Sequence, residues 1–297
     1  MATYQTYQAI GNREDLIDII SNISPVDTPV LSSSKTSRAN ATLHEWQTQA
    51  LKTPAAVASI EGAAFSDKTI TVTTRVNNYT QIIKNEFKIS GTQMAVEAAG
   101  RPSEEAYQTE LAFKELANDI EYAFVVNSAA VAGASATARQ LKGLAGFITT
   151  NQSTATANRA LTSTILDALL KTVWLAGGKP DMILTGGTQK IAFTNTTNFP
   201  GMTRNIMASI GDYKLFVDVY QGGIGGALKV MTSTVMGNNL DSQIFCLQTD
   251  TLRKAFLRPI KKEEIAPVGD ARQFSIVSEV TLEVLNEKAS GVVKNLS

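Results

Sequence analysis

The chain has 297 residues, enough for one large domain or two ordinary ones. Hydrophobic residues make up 43%, so a packed core is expected and a disordered chain is excluded. Basic and acidic residues balance at 27 each, which argues against a strongly basic nucleic-acid binder.

The single cysteine, Cys246, rules out an intrachain disulfide and fits a reducing compartment. The first ten residues, MATYQTYQAI, lack the basic and apolar regions of a secretory signal. No apolar run approaches the roughly 20 residues a membrane helix needs. The expected product is soluble and makes no use of a membrane.

In chain order, the stretch GNREDLIDIISNISPVDTPVL (Gly11–Leu31) predicts a short helix. Leu16, Ile19, Ile20 and Ile23 recur at helical spacing, Asn12 can cap the start, and Pro25 ends it. The following SPVDTPV reads as a stiff extended connector. Too apolar on one side to float free, this segment is either the first helix of a core or an arm that docks elsewhere. The runs ATLHEWQTQAL (41–51) and ITVTTRVNNYTQIIKNEFKIS (70–90) are β-prone, the second with period two, and a small-residue stretch joins them. They predict a long hairpin whose faces, mostly Thr, Asn and Gln, bury too little to be stable alone.

The clearest helix is predicted from Pro102 to about Ala130. Pro102 suits a first helical position, and Glu104 and Glu105 favour the positive end. Phe113, Leu116, Ala117, Ile120, Ala123 and Phe124 share one face, with Lys114, Glu115, Asn118, Asp119 and Glu121 away from it. Such a helix needs a long partner surface, such as a sheet. From Gly133 to Ala160 a loop with one docked apolar turn, Leu144–Ile148, is expected. A compact α/β unit follows over residues 161–259. Its first helix is capped by Ser163 or Thr164, carries Ile165, Leu166, Leu169, Leu170, Val173 and Trp174, and stops at Gly177-Gly178. Strands are expected at DMILTGG, at YKLFVDVY and ALKVMTS around a glycine turn, at SQIFCLQ and at LRKAFLRP, with a short helix over Thr188–Asn195. The tail ARQFSIVSEVTLEVLNEKASGVV reads as one long strand. In it Phe274, Ile276, Val280, Leu282 and Val284 alternate with Ser275, Glu279, Thr281 and Glu283.

The residues of chemistry are few. His44 is the only histidine, so a His-based metal site would need carboxylate or Cys help. HEWQT is not the H-E-x-x-H zinc motif, and no G-x-S-x-G elbow is present. His44 reads as a polar strand residue beside Trp46, and Cys246 as a small core residue. LTGGTQK lies between a strand and a helix, the context of an anion site, but without the spacing of a phosphate-binding loop. QGGIGGA reads as a hairpin turn. The pairs Glu104–Glu105 and Glu263–Glu264 read as solvated charges. No catalytic, cofactor or metal site is predicted.

The order of parts, and the segments GNREDL…ISPVDTPVL, HEWQTQAL, RVNNYTQI, GRPSEEAYQTELAFKELANDIEYAFVVN and LKGLAGFI, resemble the major capsid proteins of tailed bacteriophages. These have the Hong Kong 97 phage-type coat fold. The resemblance implies an α+β chain with an N-terminal arm (1–40) and an extended hairpin loop (41–90). It implies a peripheral domain with a spine helix on a β-sheet (91–160 and 260–297) and an axial α/β domain (161–259). It further implies a homo-oligomer of pentamers and hexamers in an icosahedral head, with scaffolding, portal and decoration proteins as partners. Such a head encloses double-stranded DNA without binding it specifically. It belongs to the virion and is assembled in the host bacterial cytoplasm. The arm begins close to the first residue, which implies that no large scaffolding domain is fused, or that one has been removed. The alternatives are an encapsulin-type shell around cargo enzymes and an α/β hydrolase or transferase using LTGGTQK.

Overall fold

A computed structural model describes residues 28–52, 54–64, 70–96, 103–193, 197–199, 203–210, 213–224, 226–267 and 269–297, the backbone alone for 203–210 and 213–218. The helix expected over Leu16–Ile23 lies outside the described residues. The elements begin with helix α1 (Pro29–Ser33), then β1 (Lys35–Arg38), β2 (Leu43–Thr48), β3 (Thr74–Tyr79), β4 (Gln81–Ser90) and α2 (Gly91–Ala95). Helix α3 (Glu104–Val126), α4 (Leu144–Phe147), β5 (Gln152–Ser153), α5 (Ser163–Leu175), β6 (Met182–Thr185) and α6 (Gly187–Phe193) follow. The rest is β7 (Thr203–Ile210), β8 (Tyr213–Gln221), β9 (Ala227–Thr232), α7 (Thr234–Asn239), β10 (Ile244–Leu247), β11 (Leu252–Ile265), β12 (Ala271–Val284) and β13 (Gly291–Val293).

Three sheets result. One has four strands in the order β1-β11-β12-β4, another has seven in the order β5-β13-β10-β6-β9-β8-β7, and β2 and β3 form a two-stranded hairpin. Strand β1 joins β11 in parallel, whereas β11, β12 and β4 are antiparallel.

Helix α3 starts where its side chains satisfy its first amides: the Ser103 hydroxyl accepts from the Ala106 amide, and Glu104 and Glu105 lie in the first turn. Its 23 residues extend about 35 Å. Leu116, Ile120, Ala123 and Phe124 pack with Ile276, Val280, Leu282 and Val284 of β12, so the long helix lies on the sheet. Phe113, expected on this stripe, is exposed, and Ala112 takes a buried place instead.

Strands β6, β10 and β13 of the seven-stranded sheet are buried on both faces, which explains their unbroken apolar runs. Met182, Leu184, Phe245, Leu247 and Val292 face the α3 core, while the alternate residues Ile183, Ile244, Cys246 and Val293 face a second core beneath α5. Thr162, rather than Ser163 or Thr164, caps α5. Trp174, expected in its apolar stripe, is 54% exposed.

Other departures have local causes. The connector expected at SPVDTPV runs into α1, because Pro29 at a first helical position fixes a helical φ. The run from Ile70 is not one strand. Pairing starts at Thr74, Thr80 breaks the run, and β4 leaves the hairpin to pair with β12. The tail is likewise split: β12 ends at Val284, and after a turn at Glu287–Ala289 the chain re-forms as β13 in the other sheet, beside β10. Strand β7 and helix α7 had no sequence prediction. Leu144, Phe147 and Ile148 are buried as the docked turn required, and the chain around Gly226 (φ +83°) turns between antiparallel β8 and β9.

Candidate functional site

His44 and Trp46 lie on one face of β2, their ring centroids 5.7 Å apart. His44 Nε2 is 3.5 Å from the Glu283 carboxylate, and the Ser37 hydroxyl donates to the same Glu283 oxygen at 2.9 Å. A serine, a histidine and a carboxylate thus meet, but in the wrong order. In a nucleophilic triad the imidazole stands between hydroxyl and carboxylate. Here the carboxylate stands between the other two, and His44 Nε2 has no hydrogen-bond partner. Cys246 is fully buried in β10, and burial pushes its thiol up to about 12, so it does not form the reactive thiolate.

The glycines of LTGGTQK stand at the end of β6 and the start of α6, as the pattern required. The place an anion would take is filled by the protein itself, since the Asp241 carboxylate accepts the Thr188 amide at 3.2 Å. Gly186 is needed for that approach, because a Cβ there would lie 2.1 Å from the Asp241 carboxylate. The adjoining recess, lined by Thr188, Thr232, Ser233, Thr234 and Asp241, therefore presents a negative charge. Glu105, expected in solvent, instead accepts from Lys262 Nζ and Arg272 Nη1, both at 2.8 Å. Glu264 binds the other side of Arg272, whose guanidinium holds that carboxyl below its ordinary range. This network ties the start of α3 to β11 and β12. Among the described residues, no group of three His, Cys, Asp or Glu is placed to hold a metal ion. No helix among them is long and apolar enough to cross a membrane.

What the single chain does present is an extended loop. Beyond β2 and β3 the chain continues as a tip whose described residues lack regular pairing, steadied by the Gln49 side-chain amide on the Thr71 carbonyl (2.8 Å) and the Thr73 hydroxyl on Gln47 Oε1 (3.1 Å). Leu51, Val57, Ile60, Ile70 and Val72 are all on this tip, and Leu51 is 95% exposed. Five large apolar side chains on one projecting loop mark a contact surface. At its base the loop is held by hydrogen bonds to the body. Trp46 Nε1 donates to the Val284 carbonyl (3.0 Å), and the buried Asn78 amide bridges the Lys142 and Leu282 carbonyls (2.9 and 2.8 Å). A loop aimed by directed hydrogen bonds at its root, with an exposed apolar tip, is suited to reaching over another molecule.

A family model described as SU10 major capsid protein matches residues 2–297. The chain belongs to the SU10 major capsid protein family. The major capsid protein of Escherichia phage Phieco32 is 24% identical over 340 aligned positions, covering 98% of this chain and 96% of that protein. Among solved structures, the capsid asymmetric unit of cyanophage A-1(L) matches with a TM-score of 0.69 at 15% identity, over 98% of each chain. The holo-SrpI encapsulin complex from Synechococcus elongatus PCC 7942 matches with a TM-score of 0.66 at 12% identity, over 100% of this chain and 97% of that one. The fold is the α+β coat fold of the Hong Kong 97 type, and the function is that of a tailed-phage major capsid protein, placed in the virion and assembled as an oligomeric capsid.

The sequence predicted no catalytic, cofactor or metal residues; of the residues it weighed and set aside, Cys246 and the LTGGTQK segment lie on the paired strands β10 and β6, and His44 lies on β2 in a different sheet. Sequence reasoning did not find the burial of three carboxylates, Glu121, Glu279 and Glu283. Their signal was weak: two belong to the polar half of an alternating strand, and one lies on the face of α3 expected in water.

Proposed function

We propose that this capsid protein closes into pentamers and hexamers of an icosahedral head around double-stranded DNA, and that it has no catalytic role. The exposed apolar row from Leu51 to Val72 carries this reading. Each chain projects a loop that only another molecule can cover, and the capsid family makes that molecule a second copy of the chain. Contacts of this head-to-tail kind close into rings. In this arrangement residues 1–40 act as an arm and 41–90 as the loop that overlaps a neighbour. Residues 91–160 with 260–297 form the peripheral domain, and 161–259 the axial domain that lines the capsomer axis. Assembly takes place in the host cytoplasm, with scaffolding, portal and decoration proteins as partners. The wrong order of Ser37, Glu283 and His44 and the carboxylate at the LTGGTQK turn support a structural role alone.

The likeness to the SrpI encapsulin supports a second reading, a shell around cargo enzymes. Electron microscopy of particles formed by the expressed chain, with an assay of their contents in infected cells, separates the two. Phage-head shells with five- and six-fold capsomers and DNA inside are expected. Shells filled with protein cargo would favour the second reading, and a chain that stays monomeric beside its phage's other head proteins would overturn both.

A further inference from the structure

Strand β12 has two faces. Its even-numbered residues pack on α3, as alternation predicts. Its odd-numbered face carries Glu279 and Glu283, and these are buried rather than solvated. Helix α3 carries a third buried carboxylate, Glu121, which is 0% exposed. All three reach the same stretch of chain, residues 28–80. Glu121 accepts the amides of Val30 and Leu31 at 3.0 and 2.7 Å, at the start of α1, a helix with no side-chain cap of its own. At the other end of that helix Lys254 Nζ donates to the Leu31 carbonyl at 2.7 Å, so opposite charges hold the two poles of its dipole. Glu283 accepts from the Ser37 hydroxyl beside His44. Glu279 accepts from the Thr80 hydroxyl at 2.7 Å, where the hairpin ends, and is balanced by Arg139 (2.5 Å) and Arg258 (3.0 Å).

Apolar anchoring of the same stretch is slight. Among its described residues, only Val30 and Trp46 are buried members of the main hydrophobic core. Carboxylates that accept directed hydrogen bonds hold a segment at a defined angle, while their net contribution is small because each gave up water to enter the interior. The rest of the attachment is also hydrogen-bonded rather than packed: the four-residue β1–β11 ladder, Trp46 Nε1 on the Val284 carbonyl, and Asn78 on the Lys142 and Leu282 carbonyls. A segment held by directed bonds rather than by core burial has a lower opening free energy than the core beneath it.

We propose that Glu121, Glu279 and Glu283 are positioning residues that fasten residues 28–80 to the body at three points, and that this segment unfastens as a unit separately from the α3–β12 core. It carries the loop assigned above to a neighbouring subunit, so the clasps set the angle at which that loop is offered. The unfastening itself is a property of the single chain and does not depend on that assignment.

Native-state hydrogen exchange on the full-length unassembled chain tests this. The reporters are two amides whose bonds cross from the segment to the body: Ala39, bonded to the Phe256 carbonyl (3.0 Å), and Lys142, bonded to Asn78 Oδ1 (2.8 Å). Leu116, Ile120 and Phe124 of α3 are the comparison. In rising urea, Ala39 and Lys142 should exchange through one shared opening that costs less than the opening of α3. Either E121Q or E279Q, near-isosteric changes, should speed exchange at both reporters by at least about tenfold, as the loss of a charged hydrogen bond implies. Exchange in α3 should change by less than about twofold. The proposal is overturned if the wild-type reporters open only with α3, a measurement that needs no variant. It is equally overturned if a variant speeds α3 as much as the reporters, or moves neither.

Discussion

At Ile120 the helix and sheet close on one another, and the side chain is fully buried. Periodicity alone placed it there. An Ile120→Asp substitution puts an unpaired carboxylate among Leu116, Phe124 and the apolar face of β12. The expected cost is about 3–5 kcal/mol, against a total stability of roughly 5–15 for a domain. Soluble subunit should be lost or its thermal midpoint should fall sharply, as circular dichroism would read; a folded, assembling variant would show that the face is not core. One position along the helix, Glu121 is just as buried and wholly tolerated, because two amide donors meet it. Those donors lie 90 residues upstream, so nothing near Glu121 in sequence announced them. That is why α3 was legible in its length and apolar stripe but not in its polar burial. Alternation along a chain reports which side faces inward, and it cannot report what later covers the outer side.

At the scale of elements, strands flanked by plain turn chemistry were legible: β6, β10, and the β8–β9 pair around its glycines. The extended loop was legible as a polar hairpin in need of support, although its pairing proved shorter than the period-two run suggested. The seven-stranded sheet was less so, since β5 and β13 are two and three residues long and are strands only because long-range partners complete them. The arm offers a sharper case. An arm over residues 1–40 was expected, and its last part is docked on its own chain: α1 and β1 pack on the body through Val30, Glu121 and β11. Two truncations should therefore differ. Deleting residues 1–27 should leave the thermal midpoint within a few degrees of the full chain while weakening shells. Deleting residues 1–38 strips the partners from Glu121 and should destabilise the subunit by about 3–5 kcal/mol. Thermal melts with particle yield would check both. Equal melting points for the two truncations would show that α1 and β1 are not part of the fold.

Over the whole molecule the charges cancel, and the basic group on β11 and β12 is offset close at hand. Lys261 bonds Glu263 at 3.1 Å, and Lys262 and Arg272 are committed to Glu105 and Glu264. A container for a dense polyanion works best if it does not grip its contents. The unassembled chain should bind labelled duplex DNA only weakly, within or above the roughly 10⁻⁴–10⁻⁶ M non-specific range, and binding should disappear by about 150 mM salt. Submicromolar binding that survived such salt would contradict this.

The connection between the two larger sheets also bears on force. The chain passes between them three times, before β5, from β10 into β11 and from β12 to β13. Met182, Phe245 and Val292 of one sheet share a single core with Leu116, Ile276 and Leu282 beneath the other. A load applied to either part cannot be relieved by swinging on one strand, because three covalent crossings and a common interior resist together. Under outward pressure such a subunit behaves as a stiff tile. Deformation is then concentrated at the joints between tiles, where the proposed arrangement puts the extended loops.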